Sequence, residues 1–287
     1  MPSLKDVKLQ IVGVGKTKQI TRAMEMVASA SLRGAQMRIE RFRPYAEKFG
    51  AMLGDLAART EGGAHPLLEE HEEQRSVIIV LITSDRGLCG GFNANLIKEA
   101  VTLARKAQGD GKAVRFICVG RKSRDAARKQ GFDILEAYPD VMGNFTFQLA
   151  ARIGGTVSRE YTEKTADEVY LVYSEFVSTS KQVPTTMTVL PVQPADAEGA
   201  ETEYAYEPSV KTLLAELLPR YVNVQLYRGL LATSAGENAA RMLAMNNATK
   251  NCDDMIASLT LLYNKARQAA ITNELIDIVG GANALQS

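Results

Sequence analysis

The chain has 287 residues, of which 46% are hydrophobic and 23% charged, a composition that supports a folded core and excludes a disordered chain. Its 34 basic and 33 acidic residues give a net charge of +1, so overall charge provides no attraction to nucleic acid. Three widely spaced cysteines and only two histidines argue against a disulfide framework, a zinc site and a Ser-His-Asp triad.

The first predicted element is a helix from Leu4 to Leu56. Apolar or small residues recur there at alternating steps of three and four, as in a coiled-coil seam, with one three-residue slip near Thr21. Charged residues precede any apolar stretch, so we expect no signal peptide at this end. Pro44 lies inside the pattern and predicts a bend.

A basic run overlaps this helix. Seven basic and two acidic residues lie between Lys16 and Arg43, a local net charge of +5. Such a run is typical of a solvated helix face. The alternative is that one stripe of the helix faces an acidic partner, either a protein or a nucleic acid. No motif for reading nucleic acid accompanies the run, so we expect no nucleic-acid partner.

The middle of the chain alternates between strand and helix patterns. Ser76–Thr83 is an almost continuous apolar run, typical of a strand buried on both faces. It is much shorter than the ~20 residues of a membrane-spanning helix. Further patterns predict strands at 114–119, 134–137, 169–177 and 186–192, and helices at 93–108, 123–130 and 147–164. This alternation predicts a mostly parallel sheet with helices on its faces.

The last predicted element is a long helix from Val210, with a second seam that continues to Ala270 and a bend at Pro219. Each seam needs an apolar partner, so the two predict an antiparallel coiled coil. The predicted fold class is therefore α/β, in which a long coil of the N- and C-terminal helices accompanies a central Rossmann-like domain. The predicted regions are 1–58, 75–193 and 208–287, joined by linkers at 61–74 and 194–208.

Two glycine-rich segments are candidates for ligand binding. Gly13–Thr17 resembles the end of a phosphate-binding loop, but position 10 is Gln and no buried strand precedes it, so we expect no phosphate site. Asp85–Asn93 follows the first strand and opens a helix, where α/β folds commonly bind ligands. Two interpretations stay open there: a tight structural turn, or a catalytic or nucleotide site with Cys89 as an activated thiol.

The C-terminal end, from Ile271 to Leu285, is apolar on nearly all sides of a helix. A helix of that kind needs burial on every side. Its antiparallel partner begins only near Leu4, so this end extends past the predicted coil. We therefore expect a partner protein to cover it. The residues concerned are Ile276, Ile278, Val279 and Leu285.

Three segments resemble the gamma subunit family of F-type ATP synthases. They are Lys18–Ser29 (KQITRAMEMVAS), Ser84–Asn93 (SDRGLCGGFN) and Tyr263–Leu275 (YNKARQAAITNEL), and Glu237–Met242 also matches. The resemblance covers essentially the whole chain, in the family's order. It implies a central rotor shaft whose terminal helices form a coil inside a ring of alpha and beta subunits. It places the α/β domain beside the epsilon subunit and the membrane ring of c subunits.

The resemblance also implies how the shaft works. Proton flow turns it, which couples the membrane sector to ATP synthesis or hydrolysis at the beta subunits. The chain itself is then a non-catalytic subunit with no cofactor, metal or catalytic residue. It is peripheral to the cytoplasmic face of a bacterial cell membrane, which it meets only through its partners.

The resemblance assigns contacts with the ring to particular residues. It places Met24 against an acidic lever loop of beta, and Arg267 and Gln268 against a beta catch loop. The full set of implied contacts is Lys18, Arg22, Met24, Glu25, Arg241, Arg267, Gln268, Thr272 and Glu274. No cysteine lies between Phe176 and Thr212, so the cysteine-pair switch of plastid members is not expected.

Two other functions stay open. One is a Rossmann-like enzyme that uses the turn around Cys89 and oligomerises through the coil. The other is a cytoplasmic coiled-coil scaffold. Nucleotide binding by the isolated chain separates the enzyme from the rotor shaft, which predicts no binding of consequence.

Overall fold

The computed structural model describes residues 3–58, 65–193 and 210–286, and their side chains except at 57–58, 210–211 and 282–286. These residues form five helices and five strands. In chain order they are α1 (Leu4–Ala58), β1 (Ser76–Ile82), α2 (Phe92–Gly109), β2 (Ala113–Val119), α3 (Arg121–Gln130), β3 (Asp133–Tyr138), α4 (Phe147–Thr162), β4 (Glu168–Ser178), β5 (Lys181–Leu190) and α5 (Val210–Gln286). The predicted linker at 194–208, and residues 61–64 of the other one, lie outside the described residues.

The five strands form one sheet in the order β3-β2-β1-β4-β5, which confirms the predicted mostly parallel arrangement. Strands β1 to β4 pair in parallel, and β5 is antiparallel to β4. Strand β5 begins at Lys181 rather than at the predicted Thr186. The reason is that its first part pairs with β4 in a hairpin and is only half-buried, so no apolar alternation marks it.

The central strand β1 places alternate residues in two apolar clusters. Val77, Ile79 and Leu81 pack with residues of α2 and α3. Their neighbours at 78, 80 and 82 pack with residues of α1, α4 and α5. Helices therefore cover both faces of the sheet, as expected for parallel strands joined by helices.

The chain divides into two compact units. Unit 1 consists of residues up to 28 together with 242 onward, and unit 2 consists of 29–241. Helices α1 and α5 contribute to both units and continue through Pro44 and Pro219. The bends expected at these prolines, and the division into 1–58, 75–193 and 208–287, stay predictions.

Unit 2 contains the sheet and an antiparallel helix pair. The Phe42 ring lies edge-on to the Tyr227 ring, with centroids 4.9 Å apart. Further along, the Phe49 ring stacks on Tyr221 at 6.4 Å. From the first contact to the second, the residue number increases along α1 and decreases along α5, so the two helices run in opposite directions.

Unit 1 is a second antiparallel helix pair. Lys18 forms an ion pair with Asp253, and the hydroxyl oxygens of Thr21 and Thr249 lie 2.8 Å apart. Both threonines interrupt the apolar seams in the sequence, and Thr21 is only 9% exposed. The two threonine hydroxyls are therefore hydrogen-bond partners across the helix pair. A polar pair of this kind specifies one register of a coil.

A buried carboxylate joins the segment before β1 to the start of β4. Oδ1 of Asp167 lies 2.9 Å from Nδ1 of His71, and Oδ2 accepts from the backbone N–H groups of Arg75 and Ser76 at 2.9 and 2.8 Å. Burial by itself raises the pKa of Asp167. The hydrogen bonds outweigh that effect and hold the pKa below its ordinary value.

Asp167→Asn is expected to lower the free energy of unfolding at pH 7 by about 1–3 kcal/mol, because the amide cannot replace every accepted hydrogen bond. A carboxylate with a lowered pKa stabilises the fold above its unfolded pKa, and this contribution is lost as the pH falls through the folded pKa. The deficit of the variant should therefore shrink below about pH 4. Urea unfolding at pH 7 and pH 3 measures it, with the exposed Glu72→Gln as the control. Equal deficits at both pH values would contradict the prediction.

Candidate functional site: the coil surfaces and the glycine-rich turn

The four α1 residues implied as ring contacts divide between the seam and the surface. Lys18 is held in the ion pair described above, and Asn246 Nδ2 donates to Glu25 Oε1 at 2.9 Å. These two residues therefore hold α1 and α5 together. Met24 is half-buried, and Arg22 is exposed with no ion-pair partner in the described part of the chain. Arg22 is the member of this group whose charge is available to a partner.

A stripe of apolar residues on α1 was missed as a candidate site. Leu9, Val12, Ile20 and Val27 lie on one side of the helix, outside the seam, and are 49% to 66% exposed. We call this stripe the α1 apolar face. Apolar surface of this kind marks an interaction site in a folded protein. The sequence does contain a sign of this face, because apolar residues occur at helix positions that do not belong to the seam.

The implied contacts on α5 form a separate surface. Arg267, Gln268, Thr272 and Glu274 are all exposed. None of them has an ion-pair partner among the described residues. At ~1.5 Å per residue, Arg267 lies about 32 Å along the helix from Asn246, the partner of Glu25. The structure therefore does not bring the α1 and α5 contacts together, and they present two separate surfaces.

The end of α5 is exposed. Ile276, Ile278 and Val279 are 63%, 67% and 58% exposed, while the side chain of Leu285 lies outside the described residues. Leu4 precedes Thr21 by as many residues as Ala266 follows Thr249. By the register of the threonine pair, α1 thus has no residue opposite the helix beyond Ala266. A partner protein over these residues stays a prediction.

Arg241 lies inside unit 2 rather than on its surface. Its side chain is 14% exposed, and its Nη2 donates to Glu237 Oε1 at 2.8 Å and to the Gly87 carbonyl oxygen at 3.3 Å. Burial raises the pKa of Glu237, although the Arg241 guanidinium acts in the opposite direction. Arg241 therefore ties α5 to the glycine-rich turn, and in this structure its donors are directed at its own chain.

Asp85 organises the glycine-rich turn. Its Oδ1 accepts from the backbone N–H groups of Arg121 at 2.8 Å and Asp140 at 2.7 Å, and its Oδ2 accepts from that of Met142 at 2.9 Å. One carboxylate thus links the segments that follow β1, β2 and β3. Both of its oxygens accept hydrogen bonds from its own chain, which favours the structural interpretation of the turn.

The environment of Cys89 is unlike that of an activated thiol, because the side chain is buried and its pKa is raised. It is 3% exposed, and its Sγ lies 3.2 Å from Asn93 Nδ2. Burial raises the pKa of the Cys89 thiol, with a smaller opposing effect of Arg241. A reactive cysteine needs a lowered pKa and access to solvent. The hypothesis of an activated thiol at this turn is therefore not supported.

Helix α5 occupies the space beside the turn where an α/β fold would bind a ligand. The Ser174 backbone N–H donates to Thr233 Oγ1 at 3.2 Å. A Cβ at Gly236 would lie 2.9 Å from Ser174 Oγ and 3.0 Å from the Phe92 ring, so a larger residue would force these side chains to shift. We call these interactions, together with those of Arg241, the turn–α5 contact. The contact fixes the helix against the carboxyl ends of β1 and β4.

The described residues contain no group of three or more His, Cys, Asp or Glu side chains placed to hold a metal ion. None of the described helices is long and apolar enough to cross a membrane.

Comparison with known proteins gives one consistent family. The family model described as ATP synthase matches residues 3–285. Proteins named ATP synthase gamma chain from Nitratidesulfovibrio vulgaris Hildenborough and Maridesulfovibrio salexigens are 61% and 60% identical, with all of both chains covered. Among solved structures, the Euglena gracilis mitochondrial ATP synthase OSCP/F1/c-ring matches with a TM-score of 0.68 at 18% identity, covering 98% of this chain and 94% of that one. The Tetrahymena thermophila central stalk/c-ring matches with a TM-score of 0.59 at 24% identity, covering 80% and 99%.

Proposed function

The chain belongs to the ATP synthase gamma chain family, and from this we propose that it is the central rotor shaft of an F-type ATP synthase. The shaft couples proton flow through the membrane sector to ATP synthesis or hydrolysis at the beta subunits. The chain is thus a subunit of an ATPase complex, and the chemistry takes place on its partners. The observation that carries the proposal is full-length identity of 61% to a gamma chain, together with two antiparallel helix pairs.

The exposed surfaces of unit 1 suit such a shaft. The α1 apolar face, Arg22 and the polar residues around Arg267 are available to a surrounding ring of alpha and beta subunits. The apolar residues around Ile276 need cover that the described residues do not supply, and we assign them to a bearing formed by the same ring. Lys18 and Glu25 act on the ring indirectly, because they fix the geometry of the coil.

The turn–α5 contact suits unit 2 for a part in the same shaft. A rotor must transmit torque between its long helix and the domain that contacts the membrane ring. Arg241 donates a hydrogen bond to the Gly87 carbonyl oxygen of the turn, Thr233 accepts one from β4, and Gly236 allows close packing against the sheet. We propose that the domain contacts the epsilon subunit and the c-ring, at the cytoplasmic face of a bacterial membrane. The chain then meets the membrane only through these subunits.

Co-expression tests the proposal directly. The chain carrying an affinity tag is produced with the alpha and beta subunits of a close relative, and the purified complex is tested for ATP hydrolysis. A probe attached to the α/β domain should then rotate in one direction when ATP is added. A chain that fails to assemble with these subunits, or that hydrolyses ATP alone, would contradict the proposal.

The exposed α5 residues give a sharper prediction. Arg267→Ala combined with Gln268→Ala removes two polar side chains that have no ion-pair partner within the described part of the chain. The melting temperature of the isolated chain should change by less than about 1 °C, because exposed substitutions of this kind cost little. ATP-driven rotation in the assembled complex should slow by roughly tenfold or more, since the coupling of a charged contact at an interface is worth about 1.5 kcal/mol or more.

The matched control for this double variant is Lys265→Ala, an exposed residue of the same helix. It should leave both the melting temperature and the rotation rate unchanged. Equal rotation rates in the double variant and the control would contradict the assignment of Arg267 and Gln268 to the ring contact.

A further inference from the structure

The two histidines of the chain both lie in the segment 65–75, which leads into β1. Their contacts place different demands on the imidazole ring. Nδ1 of His71 lies beside the Asp167 carboxylate, which only accepts, so this nitrogen carries a proton whether the ring is neutral or charged. His65 has the opposite role, because its Nδ1 accepts from the backbone N–H of Leu67 at 3.1 Å. That hydrogen bond requires a neutral ring.

The turn at His65 holds Leu67 in the core of unit 2. Leu67 is 1% exposed and belongs to the apolar cluster that includes residues of α1, α4 and α5. Its carbonyl oxygen accepts from the backbone N–H of Val192 at 2.8 Å, and the N–H of Leu68 donates to the His65 carbonyl oxygen at 3.0 Å. The His65 ring therefore fixes a turn that anchors the segment to the chain just past β5.

Protonation of His65 removes its hydrogen bond. A proton on Nδ1 turns the acceptor into a donor, and the ring then presents an N–H to the N–H of Leu67. Among the described residues, Glu69 is the charged group that acts on the ring, and its carboxylate favours the protonated form. Burial has the larger effect and lowers the pKa of His65. The closed turn therefore keeps the ring neutral at pH values where an open turn already takes up a proton.

We propose that His65 is an acid-sensitive latch on the segment 65–75. The neutral ring closes the turn and keeps Leu67 in the core. The charged ring opens the turn, whereas the contact of His71 with Asp167 persists and confines the opening to the residues before it. The closed turn has its full stability above the ordinary pKa of histidine, about 6.5, and loses it as the pH falls toward the lowered pKa. The proposal is independent of the rotor function.

Hydrogen exchange of the full-length chain, followed by mass spectrometry at pH 7.5 and 5.5, tests the latch. After correction for the intrinsic effect of pH on amide exchange, the opening of fragments covering 67–70 should increase several-fold at pH 5.5, up to about tenfold. This limit follows because one pH unit below 6.5 favours protonation of the open turn by about tenfold. Fragments covering β1 should open equally at both pH values, since Asp167 keeps its hydrogen bonds there.

Three variants identify the titrating group. His65→Asn keeps a side-chain acceptor for the backbone N–H two residues on but cannot titrate, so the turn should stay closed at both pH values. His65→Ala removes the acceptor, and at pH 7.5 its turn should already be as open as that of the wild type at pH 5.5. His71→Asn is the matched control, because it removes the other histidine and should retain the increase at pH 5.5.

Equal opening of the wild-type fragments 67–70 at the two pH values would overturn the proposal. An increase in His65→Asn as large as that of the wild type would also overturn it, because the titrating group would then lie elsewhere. Loss of the increase in His71→Asn, with His65 intact, would assign the effect to the wrong histidine for this proposal and would likewise overturn it.

Discussion

Gly120→Ala is expected to lower the free energy of unfolding by about 3 kcal/mol or more. Gly120 lies between β2 and α3 with φ +95° and ψ 152°, a region that only glycine enters readily. A Cβ there would lie 2.3 Å from the Thr83 carbonyl oxygen and 2.9 Å from its carbon. These are backbone atoms at the end of β1, so relief requires separation of β1 and β2. Urea unfolding followed by circular dichroism measures the loss.

Gly131→Ala is the matched control for this prediction. Gly131 ends α3 in the left-handed region at φ +74°, and a Cβ there would have no atom within 4 Å. It should therefore show the conformational cost alone, about 1 kcal/mol. Similar losses in the two variants would mean that the approach to Thr83 does not constrain Gly120.

Arg241→Ala is expected to cost about 3–5 kcal/mol at pH 8, because it leaves the Glu237 carboxylate buried without its partner. Burial already raises the pKa of Glu237, and loss of Arg241 raises this pKa further. A carboxyl group whose folded pKa is raised gives its full stability below its unfolded pKa, and that stability is lost as the pH rises through the folded pKa. The deficit of Arg241→Ala should therefore be smaller at pH 5 than at pH 8.

Two further variants control the Arg241 measurement. Combining Arg241→Ala with Glu237→Gln removes the buried charge and should recover a large part of the lost stability at pH 8. Arg228→Ala breaks a weak contact at a guanidinium group that is 52% exposed, and it should cost less than about 1 kcal/mol. A deficit of Arg241→Ala that is equal at pH 5 and pH 8 would contradict the prediction.

The architecture was predictable from the sequence because it depends on periodic patterns. The buried run after Ser76 and the two seams each indicate an element through the spacing of apolar residues. The N-terminal part of β5 was not predictable in this way. It is half-buried in a hairpin, and its residues from Lys181 to Thr185 need no apolar alternation.

The candidate site was predictable only in part. Exposure of the residues near Ile276 was expected from their position past the end of the coil, whereas that of Arg267 was implied by the resemblance to the gamma subunit family. The burial of Arg241 was not, because its partner Gly87 lies 154 residues away and no local pattern links them. Asp85 is similar, since its three backbone partners come from other segments of the fold. Contacts of this kind depend on tertiary structure, which a single sequence does not reveal through spacing.

The hydroxyl pair of Thr21 and Thr249 determines how unit 1 responds to mechanical load. Axial slippage by one helical turn, about 5.4 Å, would separate the two hydroxyls and move Thr21 toward the buried Met245. Slippage in that direction replaces the hydroxyl pair by a hydroxyl against apolar surface, so the pair favours the observed register. We therefore expect this helix pair to keep its axial register under load.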